Sequence, residues 1–487
     1  MFFDNPAVWF VAAFAGPCAF LAIRYWQHAL FGVFVLLVFE GALRKWAFPS
    51  AQAQIYLVKD VILLAVYLGF ILDGRRNQPA LTGVGLIKIV VAVGFLFGCI
   101  ELLNPNSPSI LVGLVGLKAY FLYAPVAFIL PYAFKSREHL FHLIRRYLIM
   151  AIPVAALGFI QIAAGPGSSL NAYVSHSEDA TALVLFGDEE SGYIVRTSGT
   201  FSYISGYTAF LTFVAFLAIG YNMGRGWRLR GNIAPMLALT LVVGAMFTTG
   251  SRAPVYTLVA TVPVILWLAV RGRILAFQTA VRLCMLLPVI TIMALIISPR
   301  AVDAFAQRTG EGDLSDLVAR IFQPVTETIE ALSRAPPLGM GIGTTHASAL
   351  TIMGADWPWW LQDLIVEAEM ARVTVEIGVI GLLLTWFMRF LIPTFALRCA
   401  RSFRDLAYRA LGIVLVVHLA LGIITPVILN VTAGLYYWSA LGLVLAMRRL
   451  EQSAATEAGT IFATSRPRMG PSAVYAKQRS SSSRRPA

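Results

Sequence analysis

Arginines near the ends of apolar segments are the residues of this chain best suited to chemistry. Arg196 lies in Arg-Thr-Ser-Gly-Thr-Phe, Arg252 follows Thr-Gly-Ser in a short turn, and Arg372 precedes an apolar run. A guanidinium group pairs with two phosphate oxygens at once, so two or three arginines around one cavity would bind a dianion. Each arginine could instead pair with a nearby carboxylate and fix a loop. Their shared position at the ends of apolar runs favours anion binding.

Other charged side chains stand inside or beside the apolar segments. Lys118 interrupts Leu-Lys-Ala-Tyr-Phe, and Glu101 ends the preceding apolar run. Lys118 could form a salt bridge with Glu101, or it could extend to the anion site. A structural role is the interpretation for the remaining cases, which are Lys59 with Asp60, and Glu40 with Arg44 and Lys45.

The composition places these residues in a membrane protein. The chain of 487 residues is 58% hydrophobic and only 13% charged, whereas a soluble domain is roughly half apolar and about a quarter charged. Apolar runs long enough to cross a bilayer recur, and such runs must be helices because the bilayer core cannot satisfy backbone groups. The net charge of +13 is attributed to topology, so nucleic acid is not an expected partner. The four cysteines lack ligand spacing, and no metal site is expected.

The basic loops set the predicted topology. Loops at 73–78, 135–146, 225–230, 271–273 and 398–404, and the sequence after 448, are expected in the cytoplasm. Two apolar runs fit between successive basic loops, which gives about 13 spans, or about 12 because the first two runs are short. The first run is expected to be retained as a span. The fold class is therefore predicted to be all-α, a polytopic transmembrane helix bundle.

The loops between the spans divide the chain into regions. These are a transmembrane region at 1–298 with an outward loop at 165–204, a large outward loop at 299–376, a transmembrane hairpin region at 377–449, and a disordered basic cytoplasmic tail at 450–487. In the large loop, apolar residues from Leu314 to Leu332 recur at the spacing of one helix face, so an amphipathic helix is expected at the membrane surface. Trp357, beside Trp359 and Trp360, would anchor the loop at the interface or stack on a sugar ring.

Several motifs follow one another in a set order. Arg196 stands before a Ser-Gly-Thr-Phe stretch that opens a span, Ser251 and Arg252 share a tight outward turn, and the amphipathic helix precedes Pro-Leu-Gly-Met-Gly-Ile-Gly at 337–343. Glu376 then begins Glu-x-Gly-x-x-Gly. This series, from about residue 40 to residue 449, resembles the bacterial O-antigen ligase and Wzy-type polysaccharide polymerase superfamily. The stretch at 40–60 also resembles an N-terminal segment of some members.

The resemblance implies a GT-C-like membrane glycosyltransferase that needs neither a metal nor another cofactor. Its donor would be a glycan on undecaprenyl pyrophosphate, and its acceptor a sugar hydroxyl on a second lipid-linked repeat, or on lipid A core in a ligase. Carried over, Arg196 and Arg252 would hold the pyrophosphate. Substrate-binding roles are then expected for Arg372, Lys118, Arg320, His346, Trp357 and Glu376.

One departure from the ligase pattern concerns the general base. Ligases of this superfamily commonly carry a His-Asn pair where this chain has Glu367 and Ala368. Glu367 is therefore the expected base, with His346 as the alternative. The missing histidine favours a polymerase over a ligase.

Two further classes stay open at this point. A flippase or another transporter of lipid-linked oligosaccharides would bind its substrate near the bilayer midplane, often between repeated halves, and a non-enzymatic scaffold of an export complex would keep the arginines without catalysis. The absence of a clear internal repeat and the charge at one face favour an enzyme. The expected setting is a bacterial inner membrane with the active site facing the periplasm. Expected partners are membrane lipid and the lipid-linked glycan, and a chain-length-regulating copolymerase is a further candidate.

Overall fold

The computed structural model describes residues 6–73, 81–172, 185–186, 194–227, 232–281, 314–354 and 367–464. In these ranges the chain is almost entirely helical, apart from loops and two short antiparallel strands, β1 (Leu185–Phe186) and β2 (Ile194–Val195). The helices are α1 (Pro6–Arg24), α2 (Trp26–Ala42), α3 (Gln52–Leu72), α4 (Gly85–Glu101), α5 (Ile110–Phe121), α6 (Val126–Ala133), α7 (Arg137–Ala164), α8 (Ile204–Gly224), α9 (Ile233–Thr248), α10 (Arg252–Arg271), α11 (Leu314–Arg334), α12 (Ala347–Met353), α13 (Glu369–Ser402), α14 (Leu406–Leu421) and α15 (Val431–Thr464).

The helices form an all-α, multi-pass membrane bundle. Within the described ranges, six helical stretches are long and apolar enough to cross a membrane, and the pair α5 and α6, bent by 45°, would make a seventh span. Large apolar side chains on the outer faces are exposed, among them Ile71 at 73% and Leu96 at 61%. Such faces suit lipid, which replaces water around a membrane protein. The expected total of about 12 or 13 spans stays a prediction, since residues 282–313 lie outside the described ranges.

Helix α8 forms the centre of the bundle and packs against α7, α9, α14 and α15. Its long run of Ala, Phe, Leu and Val residues is buried on nearly all sides. Gly220 lets α14 approach closely, because a Cβ atom there would come within 2.9 Å of the Leu411 side chain. Small residues at such contacts are how membrane helices gain packing energy without a hydrophobic driving force.

The bundle has two chemically different ends. At the first, Arg137 at the start of α7 pairs with Asp405 before α14 at 2.7 Å, and Arg449 of α15 donates to the carbonyl of Pro131 at 2.8 Å. The predicted cytoplasmic loops at 135–146 and 398–404 therefore do meet at one end, which we call the basic end. The opposite end carries the segments 196–203 and 336–345, and we call it the loop end.

The amphipathic helix predicted for the large loop is confirmed as α11. Its apolar side chains Phe322, Val325 and Ile329 are 57%, 51% and 62% exposed, whereas Thr328 and Ala331 are buried. The buried face packs on α13. The exposed apolar face has the character of a helix that lies on a lipid surface.

Two predicted boundaries need correction. The last transmembrane region was expected from residue 377, but α13 already begins at Glu369 and is broken at Ile377 and Gly378. The basic tail was expected to be disordered from residue 450, yet α15 continues to Thr464. That prediction was wrong for 450–464, because Ala, Glu, Gln and Thr-rich sequence can continue a helix that packing has already nucleated. Residues 465–487 lie outside the described ranges.

Candidate functional site

The segment that follows β2 is packed into the loop end of the bundle. Thr197 donates its N–H to the carbonyl of Thr248 at 3.1 Å, and the hydroxyls of these two residues lie 2.8 Å apart. Gly199 donates its N–H to the side-chain oxygen of Gln161 at 2.9 Å. Thr197 is fully buried. The ends of α7 and α9 therefore fix the backbone beside Arg196.

The two arginines expected to hold a pyrophosphate lie on either side of one turn. Arg196 donates from Nε to the carbonyl of Thr249 at 3.3 Å. Arg252 is the first residue of α10 and follows the same turn, which Gly250 completes with a φ of 58°. A left-handed φ of this kind favours glycine. The fold thus brings together two residues that are far apart in the sequence.

A second group of cations surrounds the ring of Tyr56 on α3. Lys59 Nζ lies 3.8 Å, Lys118 Nζ 4.2 Å and Arg44 Cζ 5.3 Å from the ring centroid. All three distances are within the range of cation–π attraction. We call Arg44, Lys59, Lys118 and their carboxylates Glu40 and Asp60 the Tyr56 cluster.

The carboxylates of the Tyr56 cluster only partly balance its cations. Lys59 pairs with Glu40 at 2.8 Å and Lys118 pairs with Asp60 at 2.5 Å. Arg44 shares Glu40 at 3.5 Å. The sequence left open a salt bridge between Lys118 and Glu101, and that pairing is wrong, since Glu101 instead accepts from Asn104 at 2.7 Å. The expected pairing of Glu40 with Arg44 is present.

Lys45 links the Tyr56 cluster to the segment of Arg196. Its Nζ donates to the carbonyl of Gly199 at 2.7 Å and to Ser198 Oγ at 3.2 Å, and the residue is only 6% exposed. No carboxylate in the described part of the chain pairs with it. Adjacent Arg44 donates to Ser202 Oγ at 2.8 Å. Four cations and two carboxylates thus leave a formal excess of two positive charges beside the arginine turn.

Sequence reasoning did not place Arg44 and Lys45 beside the segment of Arg196. They were interpreted as structural partners of Glu40. Their positive charges were nevertheless a signal. The apolar helix α2 separates both residues from the basic end, so they oppose the positive-inside bias in the same way as Arg196.

Two other predicted residues, Arg372 and His346, lie where the chain enters α12 and α13. Arg372 donates to the carbonyl of Thr345 at 3.4 Å, and His346 caps α12 by accepting the N–H of Ser348 at Nδ1, at 3.1 Å. Burial, together with the positive charges of Lys118 and Arg372, lowers the pKa of His346 to about 4. This imidazole is therefore neutral near pH 7, and it lies near Lys118 of the Tyr56 cluster.

Glu376, for which a substrate-binding role was expected, is bonded within the protein. It is fully buried, and its Oε1 accepts the N–H of Thr345 at 3.0 Å and the hydroxyl of Thr345 at 2.6 Å. Met340 donates its N–H to the carbonyl of Val375 at 2.8 Å. These contacts hold the Gly-rich loop 337–343 against the break in α13.

The remaining predicted residues are partly described. Glu367 is exposed just before α13 and accepts from Gln323 Nε2 at 3.3 Å. Arg320 belongs to α11, but its side chain lies outside the described part of the structure, as does the whole of Trp357. Their expected substrate contacts stay predictions.

A buried ion pair that the sequence did not indicate supports the entry to α13. Glu369 is bonded to Arg389 and also accepts the N–H groups of Val427, Ile428 and Leu429 at 2.7 to 3.0 Å. Arg389 donates to the carbonyl of Gly422 at 2.5 Å. The pair fixes the start of α13, and hence Arg372, against the loop that precedes α15.

Comparisons with known proteins leave the family open. A scan of the sequence against protein-family models finds no matching family, and a search of curated proteins finds no significant match. The resemblance to O-antigen ligases and polymerases therefore stays an interpretation of the ordered motifs.

Proposed function

We propose that this protein is a membrane glycosyltransferase that polymerises oligosaccharide repeats carried on undecaprenyl pyrophosphate. The observation that carries the proposal is a continuous belt of cations at the loop end. It runs from Arg252 and Arg196 through Lys45 and Arg44 to Lys118 and Arg372, and the neutral imidazole of His346 lies near the last two. Such a belt suits a ligand with several negative charges, as a pyrophosphate has.

The cost of burying these cations supports an anionic ligand. A buried charge without a partner is unfavourable, and among the residues that the structure describes Lys45 donates to neutral oxygens alone. A pyrophosphate beside the arginine turn would supply the missing negative charge. Guanidinium groups at Arg196 and Arg252 would bind its oxygens in pairs.

In the proposed reaction, a sugar hydroxyl oxygen of the acceptor attacks the anomeric carbon of the donor. The bond from that carbon to the phosphate oxygen breaks, and its electron pair leaves with the pyrophosphate. The arginines stabilise this developing charge, a contribution worth about 100-fold or more in rate for one donor. The released proton passes to a base.

Glu367 is the proposed base, because its carboxylate is exposed at the entrance to α13. Proton transfer to a placed carboxylate typically contributes about 100-fold or more. His346 is the weaker candidate. Its Nδ1 already accepts the N–H of Ser348, so this nitrogen is not free to take a proton.

The polymerase interpretation is preferred over a ligase because Glu367 stands where ligases commonly have histidine. In this proposal the protein lies in a bacterial inner membrane, and the loop end faces the periplasm, where the lipid-linked donor is displayed. The loops of the basic end then lie in the cytoplasm, as the positive-inside rule requires.

The test uses purified full-length protein with an undecaprenyl-pyrophosphate oligosaccharide taken from the producing strain. Products are separated on a gel beside the variants Arg196→Ala, Arg252→Ala and Lys45→Met, with EDTA in a parallel lane. Arg401→Ala is the matched control, because Arg401 is an exposed arginine at the basic end. A ladder is expected from the wild type and the control, with a loss of about 100-fold in the two loop-end arginine variants.

Two results would decide against the proposal. If Arg196→Ala and Arg252→Ala both keep the wild-type ladder, these arginines do not hold the leaving group. If no lipid-linked donor gives a product while the protein moves that lipid across liposomes, the protein is a transporter.

A further inference from the structure

An apolar crevice opens on the side of the bundle, away from the cation belt. It lies between α2, α6, α7, α8 and α15, and its volume is about 230 Å³, far above the roughly 10–15 Å³ that admits one water molecule. Most of its lining is hydrocarbon. Phe31, Phe34, Phe134, Leu143, Met150 and Leu217 are among the side chains that form it.

The polar groups in the crevice wall already have partners. The hydroxyl of Tyr147 lies 2.6 Å from that of Tyr436, and Ser439 Oγ donates to the carbonyl of Leu435 at 2.5 Å. Water in the crevice would therefore find few groups to bond, and an apolar cavity of this kind favours an apolar occupant. In a bilayer the available occupant is a hydrocarbon chain.

Arg146 lies at the rim of the crevice and is exposed. It forms no ion pair or hydrogen bond with any residue in the described part of the chain. Phe134 and Leu143 line the crevice beside it. A single cation beside an apolar slot matches an anionic headgroup joined to a hydrocarbon chain.

The depth of Arg146 agrees with a headgroup position. Helix α7 has 28 residues and is therefore about 42 Å long, about 12 Å more than the hydrocarbon core. With Ala164 at the far boundary of that core, the excess lies at the basic end. Arg146 is then about 14 Å from the start of α7, close to the level where phosphates meet hydrocarbon.

We propose that Arg146 and this crevice bind an anionic phospholipid from the leaflet at the basic end. The phosphate pairs with the guanidinium of Arg146, and one acyl chain fills the crevice toward Met150 and Leu217. The site is independent of the cation belt, because α7 separates its basic-end rim from Gln161 at the loop end. Lipid binding at this crevice therefore does not depend on the proposed glycosyl transfer.

The experiment measures lipid binding to delipidated full-length protein in detergent by native mass spectrometry. The probes are palmitoyl-oleoyl phosphatidylglycerol and the corresponding phosphatidylcholine, with inorganic phosphate as a competitor. Arg146→Gln removes the charge without disturbing buried packing, and Val35→Trp fills the mouth of the crevice, where Val35 is 46% exposed. Arg145→Gln is the matched control, since Arg145 lines a separate crevice with Tyr221.

The wild type is expected to prefer phosphatidylglycerol over phosphatidylcholine by about fivefold, the contribution of one basic residue near a membrane surface. Arg146→Gln should abolish this preference, Val35→Trp should weaken binding of both lipids, and Arg145→Gln should change neither. Inorganic phosphate should not displace the lipid. An unchanged preference in Arg146→Gln, an equal loss in Arg145→Gln, or displacement by inorganic phosphate would overturn the proposal.

Discussion

The buried pair of Glu369 and Arg389 makes a sharp prediction about stability. Both side chains are almost completely buried, at 4% and 2% exposure. Glu369 has three backbone N–H donors besides the guanidinium, whereas Arg389 has two carbonyl acceptors besides the carboxylate. Replacing either residue leaves a buried charge. The loss of Glu369 also leaves three backbone N–H groups without this acceptor, whereas the loss of Arg389 leaves two carbonyls, which tolerate a missing partner better than N–H groups do.

The expected magnitudes follow from these partners. Breaking a buried pair by removing one member costs about 3–5 kcal/mol. Arg389→Met should fall in this range, because the carboxylate of Glu369 keeps its three N–H donors. Glu369→Ala should cost at least about 1–3 kcal/mol more, the penalty for one orphaned buried group. The double variant should be less destabilised than the sum of the two, since it contains no unpaired charge.

The free energy of unfolding can be measured for each variant in mixtures of mild detergent and dodecyl sulfate. Arg334→Met is the control, because Arg334 pairs with Glu330 on the surface at 55% and 49% exposure, where a pair contributes about 0–1 kcal/mol. Equal costs for Glu369→Ala and Arg389→Met, or costs that simply add in the double variant, would refute this account of the pair.

Two other predictions concern the loop end. Gly343→Ala should abolish transfer and lower the yield of folded protein, because a Cβ atom would come within 2.4 Å of the Val112 carbonyl at a φ of 88°. Gly354→Ala is the control, because Gly354 has a φ of 55° and open space around it. An active Gly343→Ala variant would contradict the close packing. The pKa of His346 falls from 6.5 to about 4 on folding. Between these pH values the unfolded state binds a proton that the folded state does not, so the free energy of unfolding should fall as the pH drops through that interval. The melting temperature should therefore fall more between pH 7 and pH 5 in the wild type than in His346→Gln. An equal fall in the two proteins would exclude this contribution of His346.

Local sequence patterns predicted the features that depend on one segment. The apolar spacing from Leu314 to Leu332 predicted α11, and the apolar runs predicted a membrane bundle. The basic loops at 135–146 and 398–404 were correctly assigned to one end, because hydropathy and charge are read along the chain.

Pairings between distant segments could not be predicted in the same way. For Lys118 the sequence offered Glu101, at the end of the preceding apolar run, or the anion site, but the folded chain brings Asp60 of α3 into contact with it. Lys45 shows the same limit, because its contact with Gly199 depends on how the end of α2 meets the segment after β2. A long side chain can bond with any partner that the folded backbone brings within reach. The sequence pattern does not indicate which partner that is.

The Glu-x-Gly-x-x-Gly motif was predicted to bind substrate through Glu376, and in the structure it makes contacts within the protein. Glu376 holds Thr345, and Gly378 allows contact so close that a Cβ atom would lie 2.0 Å from the carbonyl of Pro337. The motif therefore joins the Gly-rich loop to the broken helix. Because that junction fixes Thr345, to which Arg372 donates, substitutions in the motif should act by misplacing Arg372 and His346. Glu376→Gln, which keeps an oxygen for Thr345, should then retain far more activity than Glu376→Ala, whereas a direct substrate contact by the carboxylate would make the two variants equally inactive.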